Sequence, residues 1–406
     1  MFEWSDELMM IRTAVRDFVD KEIRPHRDEL EHGDLPPYDL LRKLYRTFGM
    51  DEMARASFER RLAAAEGAAS PSDGGERGGG GGGGMTLLPI IELCKCSPGM
   101  VTAMGVSVGL TAAAIMAKGT PAQQRRWALD ILTMDKIGAW AITEPGSGSD
   151  AFGSMQSVAR IDGDEFVLSG SKTFITNGPY ADTIVFICKL DEGNPPEERR
   201  VVQFVLDSGM PGLEQSKPLR KMGLHSSPTG MLFLDSVRVG TDRLLGESLD
   251  AYGGSAGREA SKATFAIERS GVAAMALGII ERCLELCIPY AKERVQFGQP
   301  IGNYQLIQLK LAKMEVARLN VENLVFRFLE QAQAGKGMSL AEASAMKLYS
   351  AQAATEVALE AVQLFGGNGY MAEYEVEQLA RDAKVLQIYA GTDEIQIGQI
   401  ARSLLA

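Results

Sequence analysis

The sequence predicts an α+β protein of several units: helices first, a β-rich middle, then helices again. Three observations carry this expectation. Apolar residues recur at helical spacing over roughly the first 117 residues, the period shortens to two from about residue 137, and long helical patterns return from about 256. A chain of 406 residues has room for two or three such units. Strands and helices do not alternate, and no strand-turn-helix unit of the G-x-G-x-x-G kind is present, which excludes a doubly wound parallel sheet.

Taken in order, residues 5–32 read as one amphipathic helix, with Leu8, Ile11, Val15, Phe18 and Val19 on one face and acids in the first turn. Residues 51–66 read as a second helix. Seven consecutive glycines, Gly78 to Gly84, follow a Ser/Pro/Gly-rich stretch, so residues 70–84 are expected to be a linker rather than a phosphate loop. Apolar helices resume over 86–117. Thr120-Pro121-Ala122-Gln123 carries an N-cap, a first-turn proline and a capping-box glutamine. Residues 157–168 hold an Asp162-Gly163 turn between two short apolar runs, a hairpin signal. Strands are expected at 183–190, 201–207 and 231–239. Ser339 to Glu342 caps a helix that runs to Phe365 and stops at Gly366-Gly367-Asn368-Gly369.

Composition narrows the function classes. The net charge of −11 argues against nucleic acid as the main partner, while leaving room for an anionic ligand held by a few local cations. Five cysteines, at 94, 96, 188, 283 and 287, and three histidines show no metal-ligand spacing, so no metal is expected and a reducing, cytoplasmic setting is. The N-terminus has no signal-peptide pattern, and no apolar stretch is expected to span a bilayer.

Five segments carry the chemistry. They are Trp140 to Asp150 (WAITEPGSGSD), Lys172 to Gly178 (KTFITNG), Lys221 to Thr229 (KMGLHSSPT), Glu293 to Ile301 (ERVQFGQPI) and Gln363 to Tyr370 (QLFGGNGY), and the loop Ile388 to Gln396 (IYAGTDEIQ) follows them. In order and spacing they resemble the acyl-CoA dehydrogenase family. The resemblance implies an N-terminal helical domain over 1–134, a middle antiparallel β-barrel-like domain over 135–246 and a C-terminal four-helix bundle over 247–406. It implies FAD as cofactor. Ile142, Thr143, Gly148, Ser149, Phe174 and Thr176 would meet the flavin, with Phe174 where the family usually has Trp. Arg294, Gln296, Phe297, Gln363, Gly366, Gly367, Thr392 and Glu394 would complete the site, Arg294 and Phe297 on a neighbouring subunit's cofactor. His225 has no evident partner and reads as structural.

In most of the family a glutamate before the Gly-Thr pair removes the substrate's α-proton, and here that position is Ala390. The resemblance to the isovaleryl-CoA and long-chain branch moves the base to Glu268, which directly precedes Arg269. Ala390 would keep a backbone N–H for the thioester oxygen, because a backbone donor does not depend on the side chain. Ser149, Arg269 and Gly391 would contact substrate. The implied reaction is α,β-dehydrogenation of an acyl-CoA, or of an acyl-carrier-protein thioester, to the trans-2-enoyl product. Electrons would pass to an electron-transfer flavoprotein, and the assembly would be a homotetramer. Two other readings share the scaffold: a flavin monooxygenase, which needs no base at 390, and a non-catalytic subunit of a hetero-oligomer. Chain length and branching of the acyl group are not set by these motifs.

Overall fold

Ser5 starts the first helix by accepting from the Leu8 amide at 3.3 Å, with Asp6 and Glu7 in the first turn complementing the helix dipole. The computed structural model describes residues 4–65, 82–252 and 256–405. Helix α1 (Asp6–Phe18) buries Leu8, Val15 and Phe18. The expected single helix over 5–32 is interrupted: it widens to a π-helical stretch (Val19–Ile23), tightens at Arg24–His26, where Pro25 cannot donate to the ladder, and resumes as α2 (Arg27–His32). Helices α3 (Tyr38–Thr47) and α4 (Met50–Ala65) follow.

Helix α5 spans Gly82–Cys94. Most of the expected linker lies outside the described residues, but Gly82 to Gly84 are helical, a correction to its C-terminal end. The apolar run behind them, with Leu87, Leu88, Ile91 and Leu93 buried, supplies packing that outweighs the low helix propensity of glycine. Helix α6 (Pro98–Met104), a π-helical stretch (Gly105–Ala112) and α7 (Ala113–Lys118) continue the apolar region. Residues Pro98–Lys118, read from sequence as part of an apolar helical region and not as a span, reach a mean hydropathy of 1.8 and are long and apolar enough to cross a bilayer by length and composition alone. Just over half of that stretch, 56%, is buried inside the protein. The Thr120–Gln123 capping box forms as expected and opens α8 (Pro121–Gln123). Helix α9 (Leu129–Leu132) ends the first helical region.

The middle strands are β1 (Gly138–Ala141), β2 (Val158–Asp162), β3 (Glu165–Thr176), β4 (Thr183–Asp191), β5 (Val201–Asp207), β6 (Leu213–Gln215) and β7 (Thr229–Gly240). β2 and β3 form the expected hairpin, but its two-residue loop is Gly163-Asp164, one residue later than the turn read from sequence, with Gly163 at φ +63°. Antiparallel pairs dominate. The exceptions are at β4, which runs parallel to β1 along its first residues and parallel to β2 along its last, while β5 lines its other edge antiparallel. The sheet buries its own cluster around Phe166, Phe186, Phe204 and Leu232.

The C-terminal helices are α10 (Ala256–Glu293), α11 (Gln305–Gln333), α12 (Leu340–Phe365), α13 (Glu375–Val385) and α14 (Asp393–Leu405). Helix α12 begins at the expected Ser339/Glu342 box and ends at Gly366, φ +63°. Helices α10 to α13 form the bundle, and α14 lies along α12. One hydrophobic cluster joins this bundle to the N-terminal helices, running from Leu8 through Leu88 and Ile280 to Leu386. At the crossing of α5 and α10 the helices nearly touch: a Cβ on Gly278 would stand 2.3 Å from the Ile91 carbonyl oxygen. Beside it a buried ionic cluster ties α1 to α5 and the end of α5 to α10, with Arg12 to Glu92 at 2.6 Å and Lys95, just past α5, to Glu281 at 2.7 Å.

Candidate functional site

Strand β1 ends where Ile142 is buried and Thr143 half-buried, and the chain then turns through Pro145 to Asp150. Glu144 anchors the turn from inside. Its carboxylate accepts from Lys172 Nζ at 2.8 Å and from the amides of Gln156 and Ser157 at 2.6 and 2.9 Å. Burial raises its pKa, but Lys172 and the amides outweigh burial and leave it below the usual carboxylate range. Glu144 is therefore a structural acid. Gly148 and Ser149 sit exposed on the turn that it holds.

Strand β3 passes beside this turn and breaks its ladder there. The register with β7 shifts between Lys172 and Ile175, so Thr173 and Phe174 bulge out, while the Thr173 amide donates to Thr143 at 2.9 Å. Phe174 takes φ +56° and leaves its ring 69% exposed. A large aromatic presented this way, beside the Thr173–Thr143 contact and two residues before Thr176, offers an apolar platform.

The second group surrounds the loop between α13 and α14. Ala390 and Gly391 adopt φ +53° and +87°. Gln396 Nε2 donates to the carbonyls of Ala390 and Gly391 at 2.9 and 2.8 Å, and Lys347 Nζ donates to Gly391 O at 2.8 Å. Among the described residues the amides of Ala390, Gly391 and Thr392 find no acceptor. Thr392 caps α14 and Glu394 is exposed beside it. Asp393 Oδ2 accepts from Gln352 and Gln387.

Glu268 faces this group from α10 and is half-buried. Burial pushes its carboxyl up to about 7, against the opposing pull of Arg269 and Lys347. Arg269 is buried, donates to Ser344 Oγ on α12 at 2.9 Å, and would lie 3.7 Å from a Cβ at Gly391. Buried guanidinium groups need acceptors, and Arg269 here braces α12 beside the 390 loop.

Helix α6 brings the two groups together. Asn177, directly after Thr176, donates to the Ala103 carbonyl at 2.9 Å, and the Thr102 hydroxyl bonds Tyr389, directly before Ala390. Tyr389 also reaches Met275 Sδ at 3.2 Å. The end of β3 and the residue before Ala390 therefore both meet this short helix.

A third group lies elsewhere. Strands β8 (Val295–Gln296) and β9 (Gln299–Pro300) form a tight hairpin whose tip, Phe297, is 95% exposed, and Arg294 and Gln296 are exposed with it. Tyr290 stacks on Phe365 at 4.0 Å, which sets the hairpin beside Gln363, Gly366 and Gly367. Among the described residues no hydrogen bond or ring contact joins this group to the other two.

His225 bridges the carbonyls of Glu31 and Lys221 at 2.6 and 2.9 Å, a packing role. Among the described residues no three His, Cys, Asp or Glu side chains gather as a metal site. Sequence reasoning passed over Lys347 and Gln396, both fully enclosed. The signal for Lys347 was present: a lysine on the stripe of Ala343, Met346, Ser350 and Ala354, where small and apolar residues otherwise repeat.

The family model described as acyl-CoA dehydrogenase, C-terminal domain, matches residues 255–405, and that described as acyl-CoA dehydrogenase, middle domain, matches residues 139–237. A Bacillus subtilis (strain 168) protein named acyl-CoA dehydrogenase is 35% identical over 403 residues, covering 99% of this chain and 98% of its own. A mitochondrial isovaleryl-CoA dehydrogenase of Oryza sativa subsp. japonica is 33% identical over 313 residues, 77% of this chain and 74% of its own. The solved structure of butyryl-CoA dehydrogenase from Megasphaera elsdenii is similar over 100% of both chains, with a TM-score of 0.82 and 32% identity.

Proposed function

The chain belongs to the acyl-CoA dehydrogenase family, and from that premise we propose that Glu268 is the base with which it desaturates an acyl-CoA. The enzyme is an oxidoreductase whose reaction is acyl-CoA dehydrogenation. Members of the family are FAD-dependent flavoproteins, and the residues here fit a flavin. The β3 bulge offers the Phe174 ring as a flat contact, the nearby Thr143 and Thr176 carry hydroxyls, and the 145–150 turn offers Ser149 for a phosphate. When bound, FAD supplies the acceptor for the hydride that leaves the substrate Cβ.

The remaining work falls to the chain. Glu268 takes the α-proton onto its carboxylate, in a half-buried setting that keeps its basicity near working pH. Negative charge developing on the thioester oxygen needs donors, and the Ala390 amide supplies one that alanine leaves intact. The observation that carries this reading is the pairing of a carboxyl-free 390 position with Glu268. Glu268 is held in the same cluster through Arg269, beside Gly391, and through Lys347, bonded to Gly391.

The product is a trans-2-enoyl thioester, carried by CoA or by an acyl-carrier protein, with electron-transfer flavoprotein as electron acceptor. A homotetramer is supported by surface chemistry. Phe297 stands out from its hairpin beside Arg294, where it could serve a neighbour's FAD, and α11 presents Leu306, Leu309 and Val316 to solvent.

The test is anaerobic addition of acyl-CoAs of graded length and branching to the purified flavoprotein. Bleaching of the oxidised flavin band by wild type, and its loss in a Glu268→Gln variant that still holds FAD, is the expected result. Full activity in that variant refutes the assignment, and a flavin that no acyl-CoA bleaches favours the monooxygenase or non-catalytic readings.

A further inference from the structure

Lys347 lies inside α12 with none of its side chain open to solvent. An ammonium in such a place is costly unless it finds acceptors. Its Nζ has the Gly391 carbonyl at 2.8 Å and Asp393 Oδ1 at 3.8 Å. The charged groups facing it are Asp393 and Glu394 from α14, and Arg269 and Glu268 from α10. Burial pulls Lys347 down to about 8 and the acids oppose that pull, so it stays charged at neutral pH.

Gln396 grips the same loop through the Ala390 and Gly391 carbonyls. In a planar trans peptide the C=O and the following N–H point in opposite directions. With both carbonyls drawn inward, the Gly391 amide faces away from Gln396 and the Thr392 amide away from Lys347. These are the amides that find no acceptor among the described residues.

We propose that Lys347 is a positioning residue for the reaction, holding the Gly391 carbonyl so that the Thr392 amide, with the Gly391 amide set by Gln396, faces the thioester oxygen alongside the Ala390 amide. This rests on the function proposed above, since the donors matter only where a thioester is bound. The ammonium has a second effect across the same cluster: its charge favours the ionised form of Glu268, the form that accepts a proton.

The experiment compares Lys347→Met, which removes donor and charge, with Lys347→Gln, which keeps a donor for Gly391 but no charge. The assay uses butyryl-CoA and a dye acceptor, with flavin content measured alongside. Lys347→Met should lower kcat about tenfold or more with KM little changed, as expected when transition-state donors are misaligned. Lys347→Gln should recover much of kcat at high pH, with its acid limb displaced upward. A wild-type kcat and pH profile in Lys347→Met overturns the proposal. So does an equal loss in both variants with an unmoved acid limb, the mark of packing alone. If Lys347→Met does not fold, Lys347→Gln decides by its acid limb. An active Glu268→Gln would sink the base assignment while leaving the Lys347 effect on kcat. A dead Glu268→Gln beside an unaffected Lys347→Met would sink only the clamp.

Discussion

Lys172 and Glu144 form an enclosed ion pair, Nζ to Oε1 at 2.8 Å, directly beneath the bulge that turns Phe174 outward. Lys172 also donates to the Ile142 carbonyl at 2.9 Å, so one ammonium joins β3 to the end of β1 and to the turn beyond it. Lys172→Met leaves Glu144 buried without its cation. The expected loss is about 3–5 kcal/mol of unfolding free energy, because the surviving charge is stranded. Urea unfolding of the flavin-free protein measures it, and a loss below about 1 kcal/mol would contradict the account.

Phe174 contributes little to the fold, since its ring is mostly exposed. Phe174→Ala should change flavin-free stability by no more than about 0.5 kcal/mol. The same change should lower the flavin-to-protein ratio after gel filtration. Equal flavin content in both proteins would remove the ring from the cofactor site.

As the proposed base, Glu268 should make activity and stability respond to pH in opposite directions. Its carboxyl is pushed up to about 7 by burial, and a base acts when deprotonated, so kcat/KM should rise with pH along a limb centred near 7. The stability sign follows from the same shift. The folded state holds this proton more tightly than the unfolded chain, whose glutamate titrates at about 4.3. The contribution is full below that value and is lost as pH climbs through 7. Glu268→Gln has no such dependence, so its melting temperature should gain on wild type between about pH 5 and pH 8. Parallel melting curves across that range would count against the raised carboxyl.

Ala390 holds a left-handed backbone at φ +53°. Such a conformation costs a residue with a Cβ about 1–2 kcal/mol. Ala390→Gly should therefore match or slightly exceed wild-type stability in thermal melts. Ala390→Val, branched at Cβ, should fall below it by at least about 1 kcal/mol.

Gly278 sits where α10 meets α5, and a Cβ there would meet Ile91 O at 2.3 Å and Cys94 Cβ at 2.8 Å. Gly278→Ala must push backbone apart rather than displace a flexible side chain. A cost of about 1–3 kcal/mol is expected by denaturation, despite alanine's better helix propensity. A stabilised variant would show that the two helices have room to spare.

What could be read from the sequence was local. The capping boxes at Thr120 and Ser339 each lie within four residues, and both form. The hairpin and the strands at 183–190, 201–207 and 231–239 were legible, while β1 and the short β6 were not. What escaped depends on distant partners. β4 runs parallel to β1 and β2 because the chain crosses over between them, and no period records that. Gly82 to Gly84 join a helix because of apolar residues further on, against their own propensity. Within the site, the Gly/Ser turn, the Phe174 strand and the 390 loop were visible as motifs. Lys347 stood out only as a lysine on an apolar stripe, and its role was hidden because its acceptor lies on a loop 44 residues downstream. Arg269 was placed by analogy, and only the fold reveals that Ser344 takes its hydrogen bond.

The hydrophobic cluster that unites Leu8 with Leu386 has a consequence for biosynthesis. Helix α1 packs on α5, but α5 packs in turn on α10, so the N-terminal helices cannot complete their burial until the C-terminal bundle has been translated. The β-sheet, with its separate cluster, can consolidate in the meantime. A nascent chain stalled before α10 would thus present a finished centre with sticky, waiting helices, and chaperones would find their substrate there.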